Sequence, residues 1–91
     1  MKTAVRVGII LGSASDKDLL EPCVATLEAL GIASESLVAS AHRNPERVAG
    51  WAREARARGL KVLIAIAGLS AALPGVVAAH TTLPVIGVPA A

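Results

Sequence analysis

Apolar and polar positions follow two rhythms along the chain. Ala4 to Leu11 is a β-branched apolar run ending at Gly12, and it predicts a buried strand. Ser15 to Leu30 repeats apolar residues at helical spacing, with Leu19, Leu20, Cys23, Leu27 and Leu30 on one face. Gly31 stands where a residue just past a helix C-terminus is expected. Glu35 to Ala39 predicts a short second strand. Asn44-Pro45-Glu46 then opens a second helix, with Asn44 as N-cap and Pro45 at the first helical position; it runs through Trp51 to Arg58 and stops at Gly59. Lys61 to Ala67 is a third strand, apolar on both faces. Ala71 to Ala79 predicts an Ala-rich third helix whose start is blurred by Pro74 and Gly75, and Val85 to Val88 a fourth strand.

Continuously apolar strands alternating with helices imply a parallel sheet covered on both faces. With right-handed crossovers this is an α/β fold, a three-layer doubly wound parallel sheet, with its ligand beyond the carboxyl ends of the strands. A length of 91 residues is read as one domain, 1–91.

Composition adds one tension. The chain is 54% hydrophobic with a mean hydropathy of +0.62, high for so short a sequence. The longest apolar region, Val62 to Ala79, is broken by Gly68, Ser70, Pro74 and Gly75, so no spanning helix is expected. Further chain or partner subunits are expected to cover the excess. A net charge of +2 with spread basic residues, and 1% aromatic residues, leaves neither a basic stripe nor stacking platforms for nucleic acid. Arg53, Arg56, Arg58 and Lys61 cluster, but Glu54 interrupts them, and Arg53 to Arg58 reads as a solvated helix face. Cys23 is the only cysteine, which excludes an intrachain disulfide and a cysteine-cluster metal site; it reads as a small buried hydrophobe, and Trp51 as a packing residue. His80, near the end of the third helix, suits a helix-terminal charge as well as a functional role. No secretion signal opens the sequence, so a cytoplasmic location is expected.

Three unusual segments fall at the carboxyl ends of the strands. In Gly12-Ser13-Ala14-Ser15-Asp16, a glycine after a buried strand permits a sharp turn, and the following helix start offers free N–H groups and hydroxyls. That combination suits a phosphate, while Asp16 suits sugar hydroxyls; Ser13 or Ser15 serving only as a cap, with Asp16 favouring the helix dipole, is the equal alternative. In Ser40-Ala41-His42-Arg43, a guanidinium fork for phosphate adjoins an imidazole able to exchange protons near neutrality. An exposed loop pair is the competing reading. Gly68 to Gly75 is rich in small residues that allow close approach of backbone to ligand, or simply a tight loop between buried elements.

Taken in order, VGIILGSASD, VASAHRNPERV and AGLSAALPGVVAAHTTLPVIGVP resemble the catalytic subunit of the bacterial carboxyaminoimidazole ribonucleotide mutase family (the PurE family), over about Val5 to Pro89. The resemblance implies a flavodoxin-like fold and conversion of N5-carboxyaminoimidazole ribonucleotide to the isomer carrying its carboxylate on ring carbon C4, in purine synthesis. It implies no metal, biotin or ATP for that step, and an oligomer, an octamer in the family, with sites built between subunits. Carried over by position, Ser13 faces the phosphate, Asp16 the ribose, and Ser40 and Arg43 the phosphate. His42 moves the proton at the imidazole ring, and Gly68 and Ser70 belong to the small-residue pocket beside it.

Two departures stand out. Many relatives read AGGAAHLPG in the third segment; here Ala72 takes the place of a second histidine, and His80 is out of register to replace it. The family also continues beyond GVP, so the sequence is expected to be incomplete at the C-terminus, as a fragment or a natural truncation. Three other readings stand beside the mutase. One is the branch that carboxylates aminoimidazole ribonucleotide directly, which usually carries lysine where this chain has Arg43. Another is a related carboxylase-like domain such as that of the nickel-pincer cofactor pathway. The last is a non-catalytic assembly fragment.

Overall fold

The computed structural model describes residues 4–68 and 72–90. Strands β1 (Val5–Leu11), β2 (Ala33–Val38), β3 (Val62–Gly68) and β4 (Val85–Ala90) form one sheet in the order β2-β1-β3-β4. Every neighbouring pair is parallel; Ile9, for example, lies between Ser36 and Ile64. Helices α1 (Lys17–Ala29), α2 (Pro45–Ala55) and α3 (Leu73–Ala79) make the crossovers. The chain steps from β1 outward to β2, then returns over β1 to β3. Right-handed crossovers of opposite direction put α1 on one face and α2 with α3 on the other. This is the three-layer, doubly wound α/β arrangement expected, in the flavodoxin-like strand order.

Alternation along β1 feeds both faces. Val7, Ile9 and Leu11 join Ile64 and Ile66 beneath α1, where Leu20, Cys23, Val24 and Leu27 pack. Ile10 points the other way, into a larger cluster with Leu63, Leu60, Leu73, Val77 and the α2 residues Val48, Trp51, Ala52 and Ala55. Gly8 shares that face, and its lack of a side chain lets the Trp51 ring lie down on the sheet.

Both glycines expected to terminate helices follow a helix end. Gly31 (φ 74°) and Gly59 (φ 93°) are left-handed, a conformation that favours glycine. Beyond them the Ile32 N–H donates to Leu27 O at 2.8 Å and the Leu60 N–H to Ala55 O at 3.1 Å, satisfying orphan carbonyls.

Several expectations change in detail. The first helix does not begin at Ser15: a single 3-10 turn, Ala14–Asp16, precedes α1. Leu19 and Leu30 leave its apolar face; they are exposed, whereas Val24 joins it. Leu20, Cys23, Val24 and Leu27 complete a stripe at spacings of three and four, Leu19 falls at its margin, and Leu30 lies past the last turn. Helix α2 ends at Ala55 rather than Arg58. Arg58 is not simply solvated: it ion-pairs with Glu35 at 3.3 Å and lies 5.9 Å from the Trp51 ring centre, while the Trp51 Nε1–H donates to the same carboxylate. The second strand begins two residues early, at Ala33, and β4 runs on to Ala90.

One part of the sheet stays open. Helix α1 packs on β1 and β2. On the same face β4 carries Ile86, which is 52% exposed, and half-buried Val88. No helix among the described residues is long and apolar enough to cross a membrane.

Candidate functional site

Strand order reverses between β1 and β3, and the loops leaving the carboxyl ends of β1 and β2 meet the end of β3 there, at the position where such sheets bind ligands. The β1 loop is held down by the Gly12 N–H donating to Ile66 O at 2.9 Å. Gly12 does not adopt a left-handed φ, so conformational freedom is not its role. Its bare backbone instead forms part of the cleft wall, close to Ala67 and Leu73.

Ser13 caps the 3-10 turn: its Oγ accepts from the Ser15 N–H at 3.2 Å and lies 2.9 Å from the Ser15 hydroxyl. Both hydroxyls stay exposed. Asp16 occupies the N-cap position of α1, but its carboxylate makes no capping hydrogen bond. Ser13 thus serves as a cap, and Asp16 stands at the helix N-terminus where the dipole favours a carboxylate, with its oxygens left unengaged by capping.

The β2 loop is organised by Ser40. Its Oγ accepts from the His42 N–H at 3.1 Å and the Arg43 N–H at 3.2 Å. This local turn fixes the backbone from which the His42 and Arg43 side chains project, and it leaves the Ser40 hydroxyl proton to donate elsewhere. Asn44 stands at the N-cap of α2 as expected, yet its side chain does not cap the helix. Its Oδ1 turns back to accept from the Ser40 N–H at 3.4 Å, while its own N–H donates to Ser40 O at 2.8 Å. The SAHR segment is thus closed on itself, with His42 and Arg43 exposed at its tip.

Two adjoining clefts result. One, of about 570 Å³, is walled by Gly12, Ser13, Ser40, His42, Arg43 and Asn44 among others. The second, of about 270 Å³, is bordered by Asp16, Ser15, His42, Ala67, Gly68 and Leu73, and shares Ser13 and Ser40 with the first. His42 stands at the junction of the two. Ser13, Asp16, Ser40, His42, Arg43 and Gly68 are therefore brought together from two loops and the end of β3. Ser70 lies outside the described residues. Ala72 is exposed at the N-cap position of α3 and borders neither cleft. Asn44 and Leu73 border the clefts without having been singled out. Asn44 had a visible signal in its place directly after SAHR, and Leu73 in its place within the Gly68 to Gly75 segment.

Cys23 and His80 lie apart from these clefts. The Cys23 thiol is half-buried under α1, and burial raises its pKa. His80 is the C-cap of α3.

Comparison with known proteins fits this geometry. The chain is 51% identical over 86 residues to the N5-carboxyaminoimidazole ribonucleotide mutase of Brucella melitensis, covering 94% of this chain and 53% of that protein. It is 54% identical over 84 residues to the mutase of the same name from Mycobacterium tuberculosis, covering 92% and 48%. The crystal structure of Treponema denticola PurE superposes with a TM-score of 0.84 at 34% identity, covering 92% of this chain and 54% of that one. The chain thus spans about half the length of the relatives it matches. The AIR carboxylase family profile matches residues 6–91, and the chain belongs to that family.

Proposed function

We propose that this chain carries the nucleotide-binding and proton-transfer half of an N5-carboxyaminoimidazole ribonucleotide mutase. The observation that carries the reading is the convergence of Ser13, Asp16, Ser40, His42 and Arg43 on two adjoining clefts. The names of the relatives supply the reaction.

The two clefts divide the substrate sensibly. Arg43, with the Ser13 and Ser40 hydroxyls, suits the phosphate, since a guanidinium fork and hydroxyl donors match its oxygens. Asp16, an acceptor with no capping bond, suits the ribose hydroxyls. The smaller cleft beside His42, lined by Ala67, Gly68 and Leu73, suits the imidazole ring and the migrating carboxyl group.

In the proposed reaction the carbamate N–C bond breaks as the ring amine takes a proton from His42, releasing CO2. The ring carbon C4 then attacks that CO2. C4 now bears both hydrogen and carboxylate, and neutral His42 removes the hydrogen as a proton, restoring the aromatic ring. One imidazole serves first as acid and then as base, and the proton count closes. Small-residue walls keep CO2 near C4, where proximity replaces a diffusional encounter. No cofactor enters this sequence. We further propose a single catalytic domain at 1–91, a cytoplasmic location and a homo-oligomeric assembly, with the imidazole nucleotide, and neither nucleic acid nor membrane, as the partner.

The test compares wild type with His42→Asn. The variant is expected to lose at least about 10²-fold in product formation from N5-carboxyaminoimidazole ribonucleotide, the scale of general acid–base catalysis. Nucleotide binding, followed by amide shifts at Ser13 and Arg43, is expected to persist. Undiminished turnover in the variant would refute the role of His42. Product formed only from aminoimidazole ribonucleotide and CO2 would replace the mutase by direct carboxylation.

A further inference from the structure

At the opposite, amino end of the sheet, a cleft of about 490 Å³ opens between the ends of α2 and α3. Arg53 and Arg56 enter it from α2, and His80, Thr81 and Thr82 from the turn after α3. Among the described residues no carboxylate borders it. The Arg56 Nη2–H donates to Thr82 Oγ1 at 2.7 Å, which spans the two elements and holds that guanidinium in place. Thr81 Oγ1 accepts from the Leu83 N–H at 3.1 Å and retains its own proton to donate. Among the described residues neither Arg53 nor Arg56 is ion-paired; the nearby Glu54 serves Arg58 instead. Glu46 stands in a neighbouring cleft that Arg53 and His80 also border.

Helix electrostatics explain part of this cluster. A cation in the last turn of a helix is favoured by the dipole, and that accounts for Arg53 on α2. The same dipole argument covers His80 at the C-cap of α3, but it does not account for a second guanidinium tied to the turn after α3, nor for the threonine hydroxyls gathered on the same space. Arg53 and Arg56 are also like charges one turn apart, a mildly unfavourable arrangement that an anion between them would relieve. All the side chains here except Ala79 can donate hydrogen bonds, which matches an acceptor-only ligand.

We infer that this cleft is a second anion site, separate from the Ser13–Arg43 clefts, which takes the phosphate group of a phosphorylated metabolite on Arg53, Arg56 and the Thr81–Thr82 turn. Helix α2 links the two sites. It begins at Pro45, just after SAHRN, and ends beside this cleft about 16 Å away, at 1.5 Å rise per residue. The inference does not depend on the reaction proposed above.

The test is a titration of the 91-residue chain with inorganic phosphate, followed by backbone amide shifts, with chloride at matched ionic strength as control. Saturable shifts at Thr81 and Thr82 are expected with phosphate and not with chloride. Arg53→Gln, which breaks no contact in the structure, is expected to weaken that response about tenfold, equivalent to roughly 1.4 kcal/mol. The double variant Arg53→Gln with Arg56→Gln is expected to abolish it, while shifts at Ser13 and Arg43 remain. Absence of saturation at Thr81 and Thr82, or an unchanged response in the folded double variant, would overturn the site. A response confined to Ser13 and Arg43 would do the same while leaving the proposed function intact.

Discussion

At Gly8 a Cβ would stand 2.8 Å from both Leu60 Cδ1 and Trp51 Cζ2, and 3.0 Å from Leu63 Cδ2. Leu60 and Leu63 are buried at 1% and 0% exposure, so neither has space to withdraw. Gly8→Ala is expected to destabilise the fold by about 1–3 kcal/mol, as overpacking does; a chemical denaturation midpoint measures this, and a neutral result would show that Trp51 is free to move. Ser40 works differently. Its hydroxyl oxygen serves two backbone donors of its own loop, so its contribution to a ligand is confined to its single proton. The family resemblance proposes Ser40 as a phosphate contact; the hydrogen bonds add that it also sets the backbone at His42 and Arg43.

Among the elements, α1 gives the sharpest test of how periodicity becomes packing. Leu19 and Leu20 are neighbours in the chain, and both fit a helical apolar pattern. Leu20 packs beneath the helix against the cluster of Val7, Ile9 and Leu11, whereas Leu19 faces outward. Leu20→Ala is expected to cost about 1–2 kcal/mol, below the loss at a fully buried leucine. Leu19→Ala is expected to stay within about 0.5 kcal/mol. Thermal or denaturant unfolding of the two variants checks this, and equal losses would contradict the orientation of α1. Helix α2 shows the complement. Ala52 and Ala55, both at 0% exposure, let it lie close to the sheet, and its first residue follows directly on the site loop. Packing of α2 thereby fixes where SAHR stands.

For the whole molecule, most of the apolar sequence lies in the clusters on the two faces of the sheet, and a small part stays uncovered on the outer part of the α1 face. There β4 is an edge strand, and Ile86 is exposed. An open edge beside an apolar face favours association. The chain is expected to self-associate with rising concentration, and Ile86→Lys to reduce that association. Light scattering of the two proteins measures it, and a wild-type chain monomeric throughout would show that this surface is tolerated in water.

The sequence by itself determined the α/β class, the order of elements, the glycine stops at Gly31 and Gly59, and the candidate segments at the carboxyl ends of the strands. These are local matters, set by periodicity, by backbone sterics and by residue types that recur at strand ends. Only the tertiary structure decided that Leu19 and Leu30 face water, that Asn44 turns back to Ser40 instead of capping α2, and that Gly12 forms part of a wall without making a left-handed turn. It alone also brought Arg53 and Arg56 to the turn at Thr81 and Thr82, from a stretch that reads as a solvated helix face. Each of these depends on which residues from distant parts of the chain come within contact, and spacing along a single chain carries no distance between residues 53 and 82.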